Sequence, residues 1–155
     1  MKKNLYILAI VILFLACSST KKNKSSTTKF SQGIEGIVVK LVGNQMPMVD
    51  ALPPKPQPVI TTVFIYDSTN IKNVTQINQS PFYSSIKTKL IATVQSDSLG
   101  HFAITLPEGK YSLFVKVKDQ FYSNLYDEKN NIFLVTVEKN KLTKVEIKLS
   151  NEAVF

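Results

Sequence analysis

From Phe30 onward, apolar and polar residues alternate with a period of two, and no stretch carries the spacing of an amphipathic helix. A backbone whose side chains point alternately up and down can bury one of its faces only by joining a sheet, so the chain is constrained to strands. Residues 143–149 are the clearest case. Val145, Ile147 and Leu149 share one face and Lys144, Glu146 and Lys148 the other, the pattern of a half-buried antiparallel strand. Residues 33–42, 59–67, 87–96, 100–106, 110–118 and 132–138 are the six further strand candidates, each rich in Val, Ile, Thr or Phe and bounded by turn residues. Seven short strands predict an all-β domain over residues 30–155, folded as a sandwich of two sheets.

The turns between them are legible in part. Lys139-Asn140-Lys141 is a compact polar link suited to a closing hairpin between the last two strands, and Asp97-Ser98-Leu99-Gly100 is a glycine-containing turn. Two insertions interrupt the spacing. Residues 43–58 hold five of the chain's seven prolines, and their Pro-Pro-Lys-Pro-Gln-Pro run predicts extended polyproline geometry, either a stiff crossover between sheets or a docking edge. Residues 68–85, rich in Asn, Ser, Gln and Thr, read as a looser loop.

The segment before the domain addresses location. A basic start, Met1 to Asn4, precedes twelve apolar residues, 5–16, which as a helix span about 18 Å against a hydrocarbon core of about 30 Å. A cleaved secretory signal over residues 1–16 is the better reading. Leu13-Phe14-Leu15-Ala16-Cys17 places the only cysteine directly after this run, and it resembles a bacterial lipobox. That resemblance implies cleavage before Cys17, diacylation of its thiol and acylation of the new amino terminus, which together anchor stably where one chain does not. Residues 18–29 offer no side chain that could pack, and as a coil they reach about 20 Å. Ser18 to Lys22 lack the acidic stretch that resembles a surface-export signal, which points to the periplasm-facing side of an outer membrane.

All nineteen basic residues are lysine, and six of them precede Phe30, leaving thirteen against eleven acids in the domain. So balanced a domain, without arginine, lacks the electrostatic footprint of a nucleic-acid binder. The four tether lysines either attract an anionic bilayer or merely solvate a spacer.

Asp97-Ser98-Leu99-Gly100-His101-Phe102, then Leu106-Pro107-Glu108-Gly109-Lys110-Tyr111, with Gly33-Ile34-Glu35-Gly36-Ile37-Val38-Val39 opening the domain, resemble the carboxypeptidase regulatory-like family. The resemblance implies a Greek-key, transthyretin-like sandwich that is an accessory to catalysis and carries no zinc. In it Gly100 and Gly109 would take positive φ, and the Tyr111 hydroxyl would reach back to backbone a few residues upstream.

Chemistry-bearing residues are sparse. His101 has no second imidazole or thiolate with which to share a metal, and Asp97, Asp119, Asp127 and Glu128 are scattered over separate turns. Neither an enzyme nor a cofactor or metal site is expected. Tyr83, Phe121, Tyr122 and Tyr126 lie in polar loops and are the candidate ligand-binding residues, by stacking on a sugar or a protein partner. Phe121 and Tyr122 are adjacent, so at most one of them would be free. The expected role is a lipid-anchored structural or protein-interaction module of the cell envelope; a glycan- or small-ligand-binding protein is the alternative.

Overall fold

The computed structural model describes residues 31–47, 49 and 52–155, so the signal, Cys17 and the tether lie outside the described residues. Among the described residues eleven strands build two packed sheets, the all-β sandwich expected. All seven expected strands are present as β1 (Gly33–Asn44), β3 (Thr62–Asp67), β6 (Leu90–Gln95), β7 (His101–Thr105), β8 (Gly109–Val117), β10 (Leu134–Val137) and β11 (Leu142–Val154). Four short ones join them: β2 (Gln57–Pro58), β4 (Val74–Gln76), β5 (Phe82–Ile86) and β9 (Gln120–Tyr122).

The smaller sheet is built around β1. β11 lies along one edge of it, and β7 and then β2 share the other. The larger sheet runs β4-β5-β9-β8-β3-β6, with β10 also on β8. Ile34, Val38, Phe102, Ile147 and Leu149 from the first sheet meet Val63, Ile65, Leu113, Val115, Tyr122, Val135 and Val137 from the second. Burying a side chain of this kind contributes about 1.5–3 kcal/mol, which is why alternation so strictly selects the inward face.

The structure corrects several expectations. β11 pairs parallel to β1, from Gly33 opposite Leu142 onward, and is not antiparallel. No hairpin joins the last two strands, because the turn at residues 139–141 carries the chain from β10 in the larger sheet to β11 in the smaller. Gln32 secures that passage by donating to the Leu106 carbonyl at 2.9 Å and accepting from the Asn140 N–H at 2.8 Å.

Nor are residues 68–85 a loose loop. They form a 3-10 turn at Ile71–Asn73 and the β4–β5 hairpin, which extends the larger sheet, and Ile71 with Ile132 and Phe133 packs over that sheet's outer face. A second core results. Phe114 lies edge-on to Tyr66 and Tyr83, and Phe121 edge-on to Phe64, with ring centroids 5.2–5.7 Å apart. The end of the proline-rich insertion is likewise ordered, since Pro58 and Gln57 pair with Val39 and Lys40.

The two glycines on either side of β7 do different work. Gly100 sits at φ +80°, and a β-carbon there would lie 2.4 Å from the Val38 carbonyl oxygen. Gly109, by contrast, does not take positive φ. It is small because the Tyr111 ring packs across it, with the hydroxyl 3.2 Å from where a β-carbon would stand.

Candidate functional site

Beside the β4–β5 turn lies a depression of about 480 Å³, lined by Ile71, Gln76, Gln79, Ser80, Pro81, Asn124, Tyr126 and Asn130. Its upper wall follows from turn chemistry. Asn78 and Gln79 both take left-handed φ, 49° and 54°, closing the β4–β5 hairpin, with the Ser80 N–H bonded to the Ile77 carbonyl at 2.9 Å. Asparagine tolerates that region, but glutamine adopts it at a cost, so its carboxamide is held at a strained position. Gln76 braces the turn by donating to the Ser80 carbonyl at 2.8 Å.

The opposite wall is the segment between β9 and β10. Asp127 shapes it, accepting from the Lys129 N–H at 2.9 Å, the Asn131 N–H at 2.8 Å and the Asn131 side chain at 2.8 Å. These bonds, led by the Asn131 side chain, hold its carboxyl below the ordinary carboxylate range. Asn130 closes this turn at φ 61°. Asn124 is fixed by donating to the Ser150 hydroxyl at 3.0 Å.

Tyr126 is exposed and stands at the mouth of the depression. Its hydroxyl bonds to that of Tyr83, which donates onward to the Ser123 carbonyl at 3.3 Å. The chain of donors therefore runs from Tyr126 to Tyr83 to backbone. Burial first, and then the Tyr126 bond, raise the Tyr83 phenol above its ordinary range, so it remains a protonated donor.

The other aromatic candidates sit elsewhere. Tyr83 is fully buried in the outer core and Tyr122 is 1% exposed in the inner one, so neither offers a face to a ligand. Tyr122 ties the sheets together instead, its hydroxyl accepting from the Ser150 N–H at 3.0 Å. Phe121 is half-buried against Phe64, Tyr66 and Phe114. Sequence reasoning missed Gln79 and Asn130. The Asn-Gln and Lys-Asn pairs at the turns were the available signal.

A second feature is the outer edge of β11. β1 is the only strand that pairs with it among the described residues, so its other edge is open. Along it Lys144, Glu146 and Lys148 alternate in sign, with Lys148 and Glu146 3.0 Å apart and Lys144 3.5 Å from Glu35. Glu35, Lys144 and exposed His101 also border a shallow depression on the same sheet. Asp97 serves a turn there, accepting from the Leu99 and His101 N–H groups at 2.9 Å. Among the described residues no three His, Cys, Asp or Glu side chains gather as a cation site.

Compared with family models, curated proteins and solved structures, the chain matches none of them.

Proposed function

We propose that this chain is a lipid-anchored protein of the bacterial cell envelope, held by acylated Cys17, and that its sandwich is a non-catalytic interaction module of carboxypeptidase regulatory-like type. Its working surface is the open edge of β11, and its partner is the same edge of a second copy. The observation that carries this reading is the edge itself, on which no described strand pairs and which alternating charges flank.

In an antiparallel pair centred on Ile147, Val145 lies opposite Leu149 of the other copy, and Glu146 opposite Lys148, twice over. Shifting the centre by one residue keeps the apolar face inward but opposes like charges. Centred on Glu146, two glutamates and two pairs of lysines meet; centred on Lys148, two lysines meet at the centre and Lys144 faces Glu152 only at the ends. Over residues 145–149 the strand is thus complementary to itself in the register centred on Ile147, whereas like charges meet at the centre of the registers on either side.

Expression in a Gram-negative host, with intact mass and membrane fractionation of wild type and Cys17→Ser, tests the anchor. The expected mature chain begins at acylated Cys17 and partitions with membranes, and both traits are lost in the variant. Carbodiimide cross-linking of mixed isotopically light and heavy chains tests the edge. A Glu146–Lys148 link joining light to heavy peptide is expected, and links confined to single chains would remove the edge from the reading.

A further inference from the structure

We infer that the depression beside the Asn78–Gln79 turn is a binding site for a neutral saccharide, which stacks on Tyr126 and bonds through its hydroxyls to the carboxamides of Gln79 and Asn130. This site is separate from the β11 edge and needs neither pairing nor lipidation.

Charge selects the ligand class. The domain carries thirteen lysines and eleven acids, yet none of them lines this depression. A phosphate, carboxylate or amine entering it would lose hydration without a counter-charge, which disfavours charged ligands. What the lining does offer is Tyr126, Ile71 and Pro81 as apolar surface and Gln79, Asn124 and Asn130 as carboxamides. A sugar ring presents the same combination, an apolar face of C–H groups and a rim of hydroxyls that both donate and accept. Carboxamides match that rim because each also carries donors and an acceptor.

The groups are also prepared for binding. The Gln79 and Asn130 side chains make no hydrogen bond with other described residues, so both are free for a ligand. Left-handed backbone at both positions restricts where they project. The Tyr126 ring is held by its hydroxyl bond to buried Tyr83 and is exposed where it lines the depression, so it needs no further ordering to stack on a ligand. A volume of about 480 Å³ lies within the usual range for small-molecule sites, about 300–1,000 Å³.

The test uses the full mature chain in a zwitterionic detergent, since a sugar-headed detergent would compete. Saturation-transfer NMR is run with chitotetraose, cellotetraose and maltotetraose, and with tetragalacturonate as the charged comparison. Transfer to the ring protons of at least one neutral oligomer is expected, with affinity about tenfold weaker in Tyr126→Ala. Gln79→Gly and Asn130→Gly are the decisive variants, because glycine accepts positive φ and keeps the fold while removing the carboxamide. Each should weaken binding with no loss of thermal stability. Absence of transfer from all three neutral oligomers, undiminished binding in both glycine variants, or tighter binding of tetragalacturonate would overturn the inference. A Cys17→Ser chain that still binds the sugar separates this outcome from the fate of the anchored, edge-pairing reading.

Discussion

The hydroxyl of Tyr111 donates to the carbonyl oxygen of Pro107, four residues upstream, at 3.1 Å. The bond folds the start of β8 back over the corner that leaves β7, and the same ring lies across Gly109. Tyr111→Phe keeps the buried ring and loses the bond, so unfolding in urea should show a loss of about 1 kcal/mol. Gly109→Ala pushes on the ring from beneath. Because both changes act through one contact, the double variant should lose less than the sum of the two.

Two glycines with similar backbone angles should respond differently to alanine. Gly100 at φ +80° faces the Val38 carbonyl oxygen at 2.4 Å, whereas Gly43 at φ +69° has only the Pro54 ring at 3.7 Å. Gly43→Ala is expected to cost about 1–2 kcal/mol for the left-handed backbone alone. Gly100→Ala adds a clash with backbone that cannot rotate away and should cost clearly more. Equal melting temperatures for the two variants would contradict this account.

Phe114 joins Tyr66 and Tyr83 in the outer core and is 1% exposed. Phe114→Ala should cost about 3–5 kcal/mol, enough to unfold a marginal domain. Phe114→Leu keeps most of the volume and should remain folded with a lowered melting temperature, read by circular dichroism.

Acid should loosen the wall that carries Tyr126 before it unfolds the sandwich. The Asp127 carboxyl is held below its ordinary value by Asn131, so the stability it contributes is present above the unfolded-state value and is lost as pH falls through the folded one. Protection of the Lys129 and Asn131 amides, taken relative to their intrinsic exchange rates, should fall at that step. In Asp127→Asn their protection should show no such step with pH.

Charge reversal gives a pairing code for β11. Glu146→Lys places lysines opposite one another, and Lys148→Glu does the same with glutamates, so neither variant should pair with itself. Mixed together, the two should form a heterodimer. Sedimentation of each variant and of the mixture measures this directly.

Alternation along residues 143–149 was enough to assign Val145, Ile147 and Leu149 to the buried face, and the same argument located all seven principal strands. It could not choose the neighbour of a strand. A period of two is identical in parallel and antiparallel ladders, so the pairing of β11 with β1 was invisible until β10 and β11 were seen in different sheets. The same limit explains the tyrosines. Period two says that Phe121 and Tyr122 point to opposite faces, and they do, but one face is exposed only if nothing covers it.

What the sequence determined by itself was the set of seven principal strands and their inward faces, because each depends on neighbours a few residues away. Tertiary structure alone decided that β4 and β5 extend the larger sheet and that Ile71, Ile132 and Phe133 pack over its outer face, with Tyr83 buried and Tyr126 left at the surface. The approach of Gln79 to Asn130 in one depression is of the same kind. Those outcomes rest on contacts between segments some fifty residues apart, and no local period encodes which distant segment supplies the cover.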